Sequence, residues 1–294
     1  MGKKDIRLKT LEELNDVFAD IINVLLFHGE QIVKEDELTD ANPRGNYNAH
    51  GRIREQERDV AKFWKKHQVR SALVGLENQT KEDRDMPIRM IGYDGAAYRD
   101  QIKRRDNKKE RNRYPVVSLV LFFGYKNRWR APKSLRQCFE IDNALKPFVS
   151  DYKVNLFEIA YLSEKQVKMF KSDFREVADY FVQMRKYNRY VGTKENIKHI
   201  SELLALMSAL TGDHRFEDEE PYFRKRKGGT TMCEVLDRVE AKGMEKGMEK
   251  GMEKGKLDLL YELVRDGVLT VKDAAARAGV SASTFSRKLK AYNG

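Results

Sequence analysis

The stretch VRSALVGLENQ, residues 69–79, is an apolar run rich in branched side chains that ends in the polar residues Glu77, Asn78 and Gln79. This pattern predicts a β-strand that stops where the polar residues begin. Alternate side chains of a strand lie on the same face, so Glu77 and Gln79 are expected to point the same way. The end of this strand is therefore the first place to look for chemistry.

A second strand is predicted immediately upstream, over residues 57–64, and the polar residues 65–68 separate the two runs. An antiparallel hairpin centred near Gln68 would place Asp59 opposite Glu77. Two carboxylates beside an amide can bind a divalent metal ion through their oxygen atoms. From the spacing alone, a solvated, polar strand end is the favoured interpretation.

The pattern Asp59 followed by Glu77-x-Gln79 resembles the Asp…Glu-x-Lys signature of the PD-(D/E)XK nuclease superfamily, with glutamine in place of lysine. The surrounding sequence is similar to the Rpn family of recombination-promoting nucleases and transposases, and this similarity spans about residues 10–265. The matching stretches are NDVF at 15–18, GLENQT at 75–80 and MPIRMIGYDG at 86–95.

This resemblance implies a metal-dependent endonuclease that hydrolyses DNA phosphodiester bonds and is associated with recombination or mobile elements. It implies that Asp59 and Glu77 bind Mg²⁺, or another divalent cation, with help from the backbone of Asn78 or Gln79. In such folds an acid from the first helix often joins the metal site. Asp20 is the residue that this resemblance indicates, and a solvated helix acid is the favoured alternative for it. The alternative is a nuclease-fold protein that binds DNA but is catalytically weak or inactive.

The replacement of lysine by Gln79 is the main departure from the family pattern. An amide can form hydrogen bonds but carries no charge, so Gln79 would position a water molecule. Positive charge would then come from Lys62 or Arg89. Arg89 and Tyr93 are one turn apart on the helix predicted after the site, and both are expected to contact DNA.

The composition limits which partners, compartments and protein classes fit this chain. The 294 residues carry a net charge of +11, which fits a polyanionic partner such as DNA. The two cysteines, Cys138 and Cys233, form no metal or disulfide pattern and suit a reducing cytoplasm. A signal peptide is not predicted, and no apolar run is long enough to cross a bilayer.

The order of elements predicts an α/β fold with a restriction-endonuclease-like PD-(D/E)XK core, in which helices flank a mixed central sheet, followed by an α-helical C-terminal region. A helix is expected over 11–27, a strand over 31–38, a loop over 39–56 and an acidic loop over 214–220. The basic run 101–113 is either a solvated connector or a DNA backbone contact. The predicted divisions are the nuclease core 1–162, a helical extension 163–229, a repeat tether 230–256 and a small helical unit 257–294.

The C-terminal quarter contains two further patterns. Gly-Met-Glu-Lys occurs three times from Gly243, which favours a helical tether, or else a self-association helix that would make a homo-oligomer. Thr270 and Ser281 can cap two helices separated by Gly279, as in a helix-turn-helix unit. The DNA-contacting donors on the last helix would be Thr284, Ser286, Arg287 and Lys288. A small helical cap or oligomerisation tail is the other interpretation of this unit.

Overall fold

The computed structural model describes residues 3–41, 44–49, 52–66, 69–103, 113–226 and 228–292. Contacts divide the chain into two compact units, Met1–Val235 and Leu236–Gly294. In the described ranges, no helix is both long and apolar enough to cross a membrane.

The first unit is built on a mixed five-stranded sheet with the strand order β1-β4-β5-β6-β7. The β1, β4 and β5 strands pair antiparallel, whereas β5, β6 and β7 pair parallel. A separate two-stranded hairpin is formed by β2 and β3. The strands are β1 Leu38–Asp40, β2 Arg44–Ala49, β3 Arg52–Glu57, β4 Val60–Lys66, β5 Val69–Gln79, β6 Val116–Phe122 and β7 Asn155–Glu158.

Helices flank this sheet, and further helices follow its last strand along the chain. This arrangement confirms the predicted fold class. The helices of the first unit are α1 Lys3–Glu12, α2 Asn15–Phe27, α3 Met86–Lys103, α4 Glu164–Val167, α5 Phe174–Tyr187, α6 Ile200–Thr211 and α7 Arg215–Lys225. The 34-residue helix α8, Met232–Arg265, runs through the whole Gly-Met-Glu-Lys repeat.

The two faces of the central strands are covered by different helices. On one face, Met86 and Tyr93 of α3 pack with Val120 and Phe122 of β6 in one hydrophobic cluster. On the other face, Lys62 of β4 lies over the ring of Phe18 from α2. The apolar run of β6 is therefore buried on both sides, as expected for a strand paired in parallel with both neighbours.

Four predicted elements were wrong. The helix expected over 11–27 is two helices, α1 and α2. The strand expected over 31–38 is an irregular segment followed by a short 3-10 helix, Glu35–Glu37, before the three-residue strand β1. The loop expected over 39–56 contains the hairpin of β2 and β3, whose alternating polar residues carry no apolar signal. The acidic loop expected over 214–220 lies in α7, because Phe216 and Phe223 anchor that segment in the core.

In the second unit, three helical segments enclose a small apolar core. The end of α8 packs with α9, Val271–Arg277, and α10, Ala282–Tyr292, around the buried side chains of Tyr261 and Phe285. Thr270 caps α9 by accepting a hydrogen bond from the Asp273 amide. Gly279 adopts φ +67° in the turn before α10, a conformation that glycine tolerates without strain.

Candidate functional site

The register of the β4–β5 hairpin brings Asp59 to the polar end of β5. Val60 pairs with Leu76, so the next position along the hairpin sets Asp59 beside Glu77. Asp59 Oδ2 accepts a hydrogen bond of 2.8 Å from the backbone amide of Asn78. The expected juxtaposition of Asp59, Glu77 and Asn78 is therefore present in the fold.

Glu77 is buried, and its two carboxylate oxygens have different environments. Oε1 accepts hydrogen bonds from Arg89 Nη2 at 2.5 Å and from Gln79 Nε2 at 3.2 Å. Oε2 is buried and has no hydrogen-bond partner among the described residues. Burial, followed by repulsion from Asp59, raises the pKa of Glu77 to about 7 despite the opposing charge of Arg89.

A third acid at this strand end was missed by the sequence analysis. Glu12, at the end of α1, is fully buried, and its Oε2 accepts a 2.6 Å hydrogen bond from the Asn78 side chain. Desolvation raises the pKa of Glu12 well above its usual value, the Asn78 bond lowers it, and the nearby Asp59 charge raises it further. The available signal was helical spacing, because Glu12 is four residues after the buried Leu8.

Asp20, the helix acid chosen from the sequence, lies in a different environment. Its Oδ2 accepts three hydrogen bonds of 2.7 Å, from the amides of Lys171 and Ser172 and from the Ser172 hydroxyl. Burial raises the pKa of Asp20, which these hydrogen bonds oppose. Asp20 thus holds the turn before α5, and the first-helix acid beside Asn78 is Glu12.

Arg89 and Tyr93 lie on the face of α3 that meets the site. Arg89 bridges Glu77 and Asp83, with Nη1 at 2.7 Å from Asp83 Oδ2, and its Nη2 is 3.2 Å from the Tyr93 hydroxyl. About a third of the Arg89 side chain is exposed, whereas Tyr93 is buried. Arg89 therefore supplies a solvent-accessible cation directly beside the acids.

Lys62 was the other expected source of charge, but its side chain lies on the opposite face of the sheet. Its Cα pairs with Val74, on the face of β5 opposite to Glu77. Its ammonium group forms an ion pair with Asp40 and lies 5.9 Å from the centre of the Phe18 ring. Lys62 is thus fixed between β1 and α2, and of the two expected cations it is Arg89 that contacts Glu77.

Three buried acceptor atoms at the strand end lack hydrogen-bond partners among the described residues: Glu12 Oε1, Glu77 Oε2 and Asn78 Oδ1. Buried polar atoms are rarely left unpaired, because desolvation costs about 1–3 kcal/mol for each. A hard divalent cation prefers oxygen ligands of this kind. In the described residues, however, no three His, Cys, Asp or Glu side chains are already arranged as a metal-binding group.

The residues expected to contact DNA in the C-terminal unit differ in accessibility. Thr284 is half-buried, and its amide and hydroxyl bond to the Ser281 hydroxyl at 3.2 and 2.8 Å, so it belongs to the cap of α10. Ser286 is also half-buried, whereas Arg287 and Lys288 are exposed. In the basic run 101–113, residues 104–112 lie outside the described residues.

Comparison with known proteins gives one match. A family model described as "Putative transposase, YhgA-like" matches residues 62–214, which is more than half of the chain. The matched region includes Glu77, Gln79 and Arg89, whereas Glu12 and Asp59 precede it. No curated protein and no solved structure matches the chain significantly.

Proposed function

The chain belongs to the YhgA-like family of putative transposases, which associates it with mobile genetic elements, and on this premise we propose that it is a metal-dependent endonuclease acting on DNA. The observation that carries the proposal is the pair of buried carboxylates, Asp59 and Glu77, at the end of β5, where Oε2 of Glu77 has no hydrogen-bond partner among the described residues. A strand end made only of solvated polar residues would leave these carboxylates in water.

The residues present fit a single divalent cation, with Mg²⁺ as the expected ion. Asp59 and Glu77 would hold it, with help from the backbone of Asn78 or Gln79. The Asn78 side chain is bonded to Glu12, which would support this strand end from the other face of β5. The bound ion would polarise the scissile phosphate and lower the pKa of a water molecule. Its positive charge would also relieve the repulsion between Asp59 and Glu77.

The protein's own groups would position the remaining reactants. Gln79 points to the same side of β5 as Glu77 and donates to it, so its amide can orient a water molecule near the phosphate. Arg89 provides the positive charge that lysine gives in the related signature. Its planar guanidinium can donate two hydrogen bonds to a phosphate group, which stabilises the charge that develops during hydrolysis.

The C-terminal unit supplies a second surface for the same partner. Arg287 and Lys288 are exposed on α10, the helix that follows α9 after the turn at Gly279. We propose that these two side chains contact the DNA backbone, whereas Thr284 and Ser286 serve mainly the structure of the helix. The two free cysteines are consistent with a protein that acts on DNA in the reducing cytoplasm.

One observation favours a second candidate, a DNA-binding protein without cleavage. Arg89 already neutralises Glu77, and Gln79 replaces the charged lysine. In this alternative the buried acids would remain protonated or paired, and the basic surfaces alone would act.

Cleavage of supercoiled plasmid distinguishes the two candidates. We expect the wild-type protein to nick plasmid with Mg²⁺ but not with EDTA, and Asp59→Asn and Glu77→Gln to abolish nicking while DNA binding remains. Equal nicking by all three proteins would assign the activity to a contaminant. DNA binding without any nicking by the wild-type protein would favour the second candidate.

A further inference from the structure

Arg58, the residue immediately before Asp59, has a buried guanidinium group that the proposed hydrolysis does not use. Its side chain is 4% exposed, which is unusual for arginine and requires a partner. That partner is Asp94 of α3, whose Oδ1 lies 2.5 Å from Arg58 Nη2. The start of β4 is therefore tied to a helix on the far side of β5.

Asp94 is held from three directions, which makes it a rigid anchor. Besides Arg58, the Ser118 hydroxyl of β6 donates to Oδ1 at 2.6 Å, and the Tyr152 hydroxyl donates to Oδ2 at 2.6 Å. Burial and the hydrogen bond to Asp94 hold the pKa of Tyr152 well above its usual value, so this hydroxyl remains a donor. The guanidinium of Arg58 also lies 5.7 Å from the centre of the Tyr93 ring.

Gly75 provides the space through which the Arg58 side chain passes. A Cβ atom at Gly75 would lie 2.7 Å from Arg58 Cδ, closer than side chains approach each other. Gly75 is two residues before Glu77, so the side chain of Arg58 crosses β5 on the face that carries Glu77. Any residue larger than glycine would push Arg58 away from Asp94.

We infer that Arg58 is a positioning residue, which fixes the Asp59 carboxylate against the end of β5 by anchoring its own side chain to Asp94 across Gly75. The inference rests on the proposed function only for the identity of what Asp59 binds. Buried ion pairs add little stability compared with apolar residues of the same size, but their directed bonds can specify a geometry. Here the specified geometry is the hydrogen bond from the Asn78 amide to Asp59 Oδ2.

The test compares Gly75→Ala with the matched control Gly95→Ala in the full chain. Both changes add one methyl group, but a Cβ at Gly95 would have no neighbour within 4 Å. Arg58→Lys and Tyr152→Phe complete the set as milder changes, since each keeps part of the anchor. Two quantities are measured: the affinity for Mn²⁺ by calorimetry, and hydrogen exchange of the Asn78 amide by NMR.

We expect Gly75→Ala to weaken Mn²⁺ binding by about 10- to 100-fold, as loss of a supporting partner does at other metal sites. The Asn78 amide should exchange faster in the same variant, and Arg58→Lys and Tyr152→Phe should show smaller changes in the same direction. Gly95→Ala should match the wild type in both measurements. The inference is overturned if Gly75→Ala shows the Mn²⁺ affinity and the Asn78 amide exchange of the wild type. If Gly75→Ala does not fold, the same result in Arg58→Lys overturns it.

The same data separate this inference from the proposed function. If the wild-type protein binds Mn²⁺ in an Arg58-dependent way but cleaves no DNA, the nuclease proposal fails and the positioning role stands. If the wild-type protein binds no Mn²⁺, exchange of the Asn78 amide alone decides. Faster exchange in Gly75→Ala than in Gly95→Ala then supports the positioning role, and equal exchange rejects it.

Discussion

Arg89 Nη2 lies 2.5 Å from Glu77 Oε1, so the acid at the end of the central strand is paired with an arginine from the next helix. The same guanidinium also binds Asp83 through Nη1 and is about one-third exposed. It can therefore remain beside the site while turning part of its donor surface toward a phosphate group. Under the proposed function, Arg89 would supply the charge that lysine supplies in the related signature.

The first prediction concerns this arginine. Arg89→Ala should lower the rate of plasmid cleavage about 100-fold, the usual effect of removing one donor that stabilises developing charge. Arg89→Lys should keep part of the activity, since lysine retains the charge but loses the two-pronged geometry. Arg84→Ala, which removes a neighbouring exposed cation, is the control. Similar rates for Arg89→Ala and Arg84→Ala would contradict the role of Arg89.

The second prediction follows from the pKa of Glu77, which is raised to about 7. A cation must displace the proton from this carboxylate, so Mn²⁺ affinity should fall by up to about tenfold for each pH unit below 7. Calorimetry between pH 5.5 and 8.5 measures this dependence. Glu77→Gln should show weak binding with a much flatter pH profile, and a wild-type affinity independent of pH would contradict the assignment.

The third prediction concerns stability without metal. Because the pKa of Glu77 is higher in the folded state than in the unfolded chain, the folded state binds more protons between about pH 4.3 and 7, and stability falls as pH rises through this window. Glu77→Gln removes this loss. We therefore expect the change in the free energy of unfolding caused by Glu77→Gln to be more stabilising at pH 8 than at pH 4, by up to about 3 kcal/mol. Urea unfolding at both pH values measures the difference, and an equal effect at both would refute it.

The fourth prediction separates the two helix acids. Glu12→Gln should weaken Mn²⁺ binding about tenfold, because it alters the support of Asn78 at the strand end. Asp20→Ala should leave Mn²⁺ affinity unchanged and instead lower the free energy of unfolding by about 1–3 kcal/mol, since it removes the acceptor of the hydrogen bonds from Lys171 and Ser172. If the Asp20 variant binds Mn²⁺ more weakly and Glu12→Gln binds it as the wild type does, the helix acid of the site is Asp20 and not Glu12.

The fifth prediction concerns the C-terminal unit. Replacing Arg287 and Lys288 together by alanine should weaken DNA binding and reduce the slope of log K against log salt by about 2, one for each lost phosphate contact. Fluorescence anisotropy in EDTA measures binding without cleavage. Lys246→Ala together with Lys250→Ala, on the exposed repeat of α8, is the matched double control. Equal slopes for the two double variants would exclude α10 as a DNA contact.

The central hairpin could be predicted from sequence because both of its signals are local. The apolar run of residues 69–79 indicated a strand, and the polar residues 65–68 placed its antiparallel partner upstream, although Lys65 and Lys66 belong to β4 and residues 67–68 lie outside the described residues. These two features were enough to bring Asp59 opposite Glu77. The family match then confirms the resemblance that the motif suggested.

The choice of the first-helix acid could not be made from local signals. Glu12 and Asp20 both lie in helical segments, and helical spacing does not show which helix end meets the end of β5. The answer depends on a distant segment, since residues 171–172 bind Oδ2 of Asp20 and hold this side chain against the turn before α5, although its Oδ1 is buried without a partner among the described residues. The buried anchor of Arg58 on Asp94 was likewise hidden, because it joins residues 36 positions apart.

The most direct test of the account is an anomalous diffraction map from a crystal soaked in Mn²⁺. We expect one peak between the carboxylates of Asp59 and Glu77. It should lie within about 2.0–2.6 Å of an oxygen atom of each, the range for hard divalent cations. On Glu77 this oxygen atom should be Oε2, because Oε1 is paired with Arg89. A map without a peak at this place at saturating Mn²⁺ would contradict the claim that these two acids share a cation.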